Sequence, residues 1–323
     1  MPARRIRTAS LPTKTTSTTR PDPVVTSAVL LADKPGGITS HQVVSRARRA
    51  LGTTKVGHAG TLDPMATGLM ILGIEKGTRL LGHLTGMDKT YEATIRLGVS
   101  TTTDDAEGEV ATARGARLEE LGSRLAAGVA ALTGPLSQVP SSVSAIKVNG
   151  QRAYAMVRRG EEVALAARPV VVSRFDVLDV RSGESAEGQS VVDLDVVVDC
   201  SSGTYIRALA RDLGEGLGVG GHLTALRRTR IGPFQLAHAG WDATLPELAR
   251  GELFPLPTYP LADVAPVLFA TVEASDEQAR DIGFGRPLSQ PVPANPTAML
   301  HGGHLLALYR PEGSGSVPVA VLV

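Results

Sequence analysis

The chain has 323 residues (33.6 kDa), 42% apolar and 20% charged, enough to bury one large core or two packed domains. No run of 18 apolar residues occurs, which excludes a membrane-spanning helix, and the single cysteine, Cys200, excludes an internal disulfide framework and a four-cysteine zinc site. The net charge of +1 hides an asymmetry: residues 238–323 carry nine acidic side chains against four arginines, and residues 1–237 carry 29 basic against 23 acidic. That balance fits either an anionic partner for the body alone or an ordinary solvated surface.

Residues 1–25 hold Arg4, Arg5, Arg7, Lys14 and Arg20, many Ser and Thr, and no acid before Asp22. No apolar stretch follows, so this is not a secretory signal; the composition resembles a transit peptide, and a disordered basic tail is the simpler reading. Val29 to Ala32 reads as a buried strand ending in the turn-forming Asp33-Lys34-Pro35-Gly36-Gly37. Thr39 and Gln42 form a capping pair for a helix with Val43, Val44, Ala47 and Leu51 on its apolar face, stopped by Gly52. Gly68 to Ile74 suits a central strand. Thr90 to Leu97 alternates, with Tyr91, Ala93, Ile95 and Leu97 on one face. Leu118 to Leu132 and Thr204 to Leu217 have helical spacing, and Val170 to Val180 and Val191 to Cys200 read as strands. Trp241 to Pro266 is rich in Pro and Leu and reads as a crossing to a second unit. There Val272 to Gly285 looks helical, and Leu305 to Tyr309 and Val317 to Val323 look like strands. Strands interrupted irregularly by helices predict an α+β fold with a mixed, mostly antiparallel sheet and flanking helices. The expected divisions are a tail (1–25), a main domain (26–240), a connector (241–265) and a small β domain (266–323).

Several patterns carry little. Gly216-x-Gly218-x-x-Gly221 fits a dinucleotide fingerprint as text, but a helix precedes it where a strand is required. Asp104, Asp105, Glu107 and Glu109 in one loop, and Asp193 with Asp195 on one strand face, could hold a hard cation; neither set has calcium-loop spacing, and solvated acids read equally well. His301 and His304 lack a third ligand in reach and read as a turn.

The most informative stretch is Lys55-Val-Gly-His-Ala-Gly-Thr-Leu-Asp-Pro-Met-Ala-Thr-Gly68. Its glycines permit close approach to a ligand, and Pro64 pushes Asp63 towards an extended conformation at a strand edge. The residues alone leave two roles open for Asp63: a carboxylate within reach of a substrate, or a cap on its own turn.

Residues 57–68 resemble the signature of the TruB-type pseudouridine synthases. Matching segments follow in the family's order: Asp33-Lys34-Pro35-x-Gly37-x-Thr39-Ser40, Asp88-Lys89-Thr90-Tyr91, Val139-Pro140 with Ser144-Ala145-Ile146-Lys147-Val148-Asn149-Gly150, Cys200 to Arg207, and His222 to Arg228. They span about residues 29 to 235. One departure is Pro140-Ser141, where the family commonly has Pro-Pro.

The single cysteine fits a reducing cytoplasm, and the resemblance implies an enzyme that isomerises a uridine in the T-arm loop of tRNA (position 55), with base flipping, no cofactor, no metal and no obligate protein partner. Main-domain residues 26–240 would be the pseudouridine synthase domain, and the C-terminal unit would be PUA-like. Asp63 would be the essential carboxylate, attacking ring C6, trapping the sugar at C1′, or assisting loss of the 2′-proton. Arg207 would pair with Asp63, keeping it ionised and aimed. Tyr91 would stack on the target base and relay a proton, Tyr205 would position the nucleotide, and Leu226 would line the base pocket. His58, unusually free beside its glycines, would fill the place vacated by the flipped base. Lys34, Arg46, Arg48, Arg49, Lys55, Lys89, Lys147, Arg227, Arg228 and Arg230 are candidates for a phosphate-binding surface. Two rival readings are a guide-RNA-dependent relative, whose signature is similar, and an RNA-binding or folding protein without turnover.

Overall fold

The computed structural model describes residues 26–141, 147–148, 151–152, 165–243 and 253–323. The basic tail and residues 144–146 and 149–150 of one matching segment lie outside the described residues, as does the Lys147 side chain. The main ten-stranded sheet includes β1 (Ala28–Lys34), β2 (Val56–Ala59), β3 (Thr67–Ile74), β4 (Lys89–Leu97), β5 (Gly134–Gln138), β6 (Arg168–Glu184), β7 (Ser190–Cys200), β8 (Gly221–Ile231) and β9 (Thr258–Pro260). Its order is β9-β1-β3-β8-β4-β7-β6-β5, and every pairing is antiparallel except β3 with β8. The expected mixed, mostly antiparallel α+β sheet is what the chain forms.

Alternation sets its two faces. In β4, Tyr91, Ala93, Ile95 and Leu97 are buried, and in β7 Val192, Leu194, Val196, Val198 and Cys200 join the same core. Helices α1 (Ser40–Leu51), α2 (Leu118–Ala131) and α3 (Ile206–Leu217) supply apolar residues to that core. Thr39 and Gln42 make both bonds of the capping box, and Gly52 (φ 66°) ends α1 as expected. The α2 spacing reads as one helix, but Gly122 (φ 46°) breaks it internally. Gly218 is the left-handed cap of α3, which accounts for the nucleotide-fingerprint text.

β1 is apolar from Ala28 to Ala32 because that part is covered twice. Ala28, Leu30 and Ala32 face the first core, and Val29 and Leu31 face a second one with Leu305, Leu308 and Leu322 from the C-terminal unit. The described parts of the Trp241–Pro266 stretch, expected as a crossing, are woven into this region. Asp33 N–H donates to the Trp241 carbonyl (2.7 Å), β9 extends the sheet beside β1, and α4 (Leu261–Leu268) packs into the second core. The stretch expected to be one helix from Val272 divides. Residues Ala270–Glu273 form strand β10, Ser275 and Gln278 make a fresh capping box, and α5 covers Asp276–Gly283. With β11 (Thr297–His301), β12 (His304–Glu312) and β13 (Gly315–Val321), β10 makes a four-stranded sheet. His301 and His304 flank a hairpin turn.

One feature of the topology makes the site. β1 pairs with β3 from Gly68 to Ile74, so β2 and β8 share the other edge: Thr67 and Gly68 pair with Arg227 and Arg228, and Ile71 to Ile74 pair with β2. The sheet forks there, and the loop from Gly60 to Ala66 lies in the fork.

Candidate active site

Three anchors hold that loop. Ser40, buried at the start of α1, donates to the Leu62 carbonyl (2.9 Å) and accepts from the Leu62 N–H (2.8 Å). Lys34, fully buried at the end of β1, donates to the carbonyls of Pro35 (2.9 Å), Pro64 (3.0 Å) and Ala66 (2.6 Å). From the other side Arg228, 1% exposed, donates to the carbonyls of Gly60 (3.1 Å) and Leu69 (2.8 Å). Gly68 makes this approach possible. It has φ +102°, and a Cβ there would lie 2.3 Å from the Arg228 carbonyl oxygen.

Asp63 projects from this clamped loop. Its Oδ2 is 3.0 Å from Nε of Arg207, in the first turn of α3. Arg207 is itself fixed: Nη1 donates to the Thr103 carbonyl (2.9 Å) and lies 3.2 Å from Oδ2 of Asp105. Asp105 is 2% exposed, and its Oδ1 accepts from the Thr103 hydroxyl (2.5 Å) and the Glu107 N–H (3.0 Å). The start of α3 is held by buried Gln138. Its amide nitrogen donates to the Tyr205 carbonyl (3.0 Å), and its amide oxygen accepts from the Tyr205 N–H (2.8 Å).

A cavity of about 330 Å³ opens on Asp63, lined also by Arg207, Tyr91, Tyr205, Leu226 and Lys89. The Arg207 side chain is 5% exposed, whereas 36% of the Asp63 side chain remains open. Burial raises the Asp63 carboxyl above its ordinary value; Arg207 pulls it down and Asp105 pushes it up. Arg207 thus aims the group, but the balance does not hold it below the usual carboxylate range. Burial likewise raises the Tyr91 hydroxyl, which contacts Arg228. An aimed, accessible carboxylate beside two tyrosines can serve as a nucleophile or a base towards a flat ring held between them.

Residues 48–206 match the TruB family pseudouridylate synthase N-terminal domain model, and residues 207–250 match a tRNA pseudouridylate synthase B C-terminal domain. The chain is 54% identical over 305 residues to a protein of Paenarthrobacter aurescens named tRNA pseudouridine synthase B, covering 91% of this chain and 94% of that one. The protein of the same name from Nocardia farcinica is 53% identical over 307 residues, covering 94% and 95%. The chain belongs to the TruB family of pseudouridylate synthases. A solved H/ACA ribonucleoprotein bound to a substrate RNA containing 2′-deoxyuridine shares the fold (TM-score 0.61, 22% identity, 92% of this chain and 85% of that one).

Membership as a TruB-family enzyme makes the residue placements specific. Asp63, Arg207, Tyr91, Tyr205 and Leu226 meet at one cavity. His58 does not line it: it lies in β2 opposite Leu72, half-buried, so its neighbouring glycine does not leave it free. Burial lowers its pKa, which leaves the imidazole neutral at pH 7. Lys34, Lys89 and Arg228 are not a phosphate-binding surface. All three are buried, at 0%, 6% and 1% exposure, because backbone carbonyls of the site's own loops use their donors. Arg227 remains partly exposed but pairs with Asp33 (2.6 Å) and donates to the Thr67 hydroxyl (3.1 Å). Arg46 and Arg48 donate to the carbonyls of Ala243 and Val56, and Arg230 pairs with Asp88 (2.8 Å). Arg49 and Lys55 stay exposed.

Two contributors were missed. Asp105 was visible only as one of four acids in a loop, and hydropathy gives all four the same solvent-facing reading. Gln138 had no signal beyond its place before Val139-Pro140, since its partner Tyr205 lies 67 residues away.

Proposed function

We propose that this enzyme isomerises uridine to pseudouridine in the T-arm loop of tRNA, at position 55, in the cytoplasm, with Asp63 as its catalytic carboxylate. The observation that carries the reading is a carboxylate aimed by Arg207 at 3.0 Å yet open to a cavity bounded by Tyr91, Tyr205 and Leu226. The tRNA substrate is supported by the names of the TruB relatives, and the T-arm position by the signature around Asp63. The reaction breaks the bond from C1′ to N1 and rejoins the ring through C5, with no net redox change. The uridine must first leave its stack, at a cost of a few kcal/mol, which contacts to the RNA backbone offset. Tyr205 positions the nucleotide, Tyr91 stacks on the ring and Leu226 packs against it. His58, outside the cavity, takes the place in the RNA that the ring vacates.

The test incubates an unmodified T-arm hairpin labelled with tritium at uridine C5 and follows tritium release. The parent protein turns over; Asp63→Asn binds the hairpin but releases nothing. Equal release from both proteins refutes the role of Asp63, and none from either favours a binding protein. Affinity should fall at least about tenfold between 50 and 200 mM salt, and a flat response refutes an electrostatic RNA surface.

A further inference from the structure

Lys89 and Arg228 form an unusual pair. Both line the cavity, and both lie against Gly60, where an added Cβ would meet Arg228 Nη1 at 3.4 Å and Lys89 Cε at 3.6 Å. Lys89 donates to the carbonyls of Thr85 (3.1 Å) and Met87 (2.6 Å), and Arg228 to those of Gly60 and Leu69. Among the described residues, neither has a carboxylate within ion-pair distance. The cavity's carboxylate side is already committed, because Arg207 takes both Asp63 and Asp105. Two neighbouring cations with no carboxylate in contact are costly in a buried place, and the cost shows in Lys89, whose pKa burial and then Arg228 lower to about 8 against a weaker opposing pull from Asp88. A wall built this way is suited to negative charge inside the cavity.

Uridine and pseudouridine rings are neutral, so the charge must arise between them. We propose that Lys89 and Arg228 stabilise the uracil ring as an anion during the interval when it is detached from the sugar. This inference rests on the pseudouridine-synthase reading above. When the C1′–N1 bond breaks heterolytically, its electron pair stays on N1 and spreads to the ring oxygens. C1′ is then satisfied by an Asp63 oxygen or by loss of the 2′-proton. In the ester route, C5 of the turned ring attacks C1′, the Asp63 oxygen leaves with its pair, C5 loses its proton and N1 gains one. Because the cations meet their counter-charge only in mid-reaction, they lower the barrier without tightening substrate binding.

The test compares hairpins bearing uridine or 5-fluorouridine at the target position, since fluorine stabilises the ring anion by itself. Single-turnover bond cleavage is read as loss of the parent nucleoside after nuclease digestion. Lys89→Met is expected to slow cleavage of the uridine RNA at least about tenfold and that of the 5-fluorouridine RNA much less, with RNA affinity unchanged. If Lys89→Met does not fold, Lys89→Gln, which keeps a donor for Thr85 and Met87, carries the same comparison. Equal slowing of both RNAs at unchanged affinity overturns the proposal in favour of a structural role. Equal slowing with weakened affinity overturns it in favour of a phosphate contact. A parent protein inactive on both RNAs defeats the pseudouridine-synthase reading itself.

Discussion

Replacing Ser40 by alanine removes one oxygen atom and should damage the site through the loop that bears Asp63. Ser40 is 3% exposed, and its hydroxyl serves both polar groups of one residue, the Leu62 N–H and C=O. Without it those groups are left unpaired where water does not reach, at about 1–3 kcal/mol each, so a total of about 2–4 kcal/mol is expected after partial relaxation. Helix α1 itself should not suffer, because alanine is the better helix former by ~0.5 kcal/mol. Urea unfolding should show a lower midpoint at an unchanged slope. Because Leu62 immediately precedes Asp63, kcat for tritium release should fall at least about tenfold, as expected for a displaced reacting group. A stability change below ~0.5 kcal/mol together with unchanged kcat would show that the Ser40 bridge does not hold the loop.

Asp105→Asn should slow the chemical step without weakening RNA binding, since it loosens Arg207. Asp105 is also among the influences that raise the Asp63 carboxyl, so the acid limb of the pH–rate profile should move to lower pH; an unmoved limb refutes that coupling. In the proposed reaction ionised Asp63 is the active form, so activity should be present above its folded pKa and lost as pH falls through it. Gly68→Ala would place a Cβ 2.3 Å from the Arg228 carbonyl oxygen and should cost about 3 kcal/mol or more, with loss of turnover; a stable, active variant would refute the close approach of β3 to β8. Burial lowers Lys34 to about 8 from 10.5, so between those values the unfolded chain binds more protons and stability rises with pH. Urea midpoints at about pH 8 and pH 10 should differ less in Lys34→Met than in the parent, and equal differences would refute the shift.

Where local physics decides, the elements were legible. The alternation of Tyr91, Ala93, Ile95 and Leu97 was visible because a strand buried on one face leaves that period. The caps of α1 were visible because Thr39, Gln42 and Gly52 act on their own neighbours. The helix expected from Val272 failed for one local and one distant reason: Ser275 starts a new helix, and β10 gains its hydrogen bonds from β11, which sequence does not show.

The sequence by itself determined the list of chemical groups: Asp63 in its glycine-rich loop, Arg207, the two tyrosines and the family they mark. Tertiary structure decided what each group faces. Lys34, Lys89 and Arg228 read as surface cations because charge prefers water, yet the fold buries all three: distant carbonyls of the Gly60–Leu69 stretch hold Lys34 and Arg228, and those of Thr85 and Met87 hold Lys89. Asp105 turned from a loop acid into the second partner of Arg207 only because α3 packs across from it. Ion pairs and hydrogen bonds act over about 3 Å, and residues a hundred positions apart reach that distance only once the sheet and its flanking helices have closed around them.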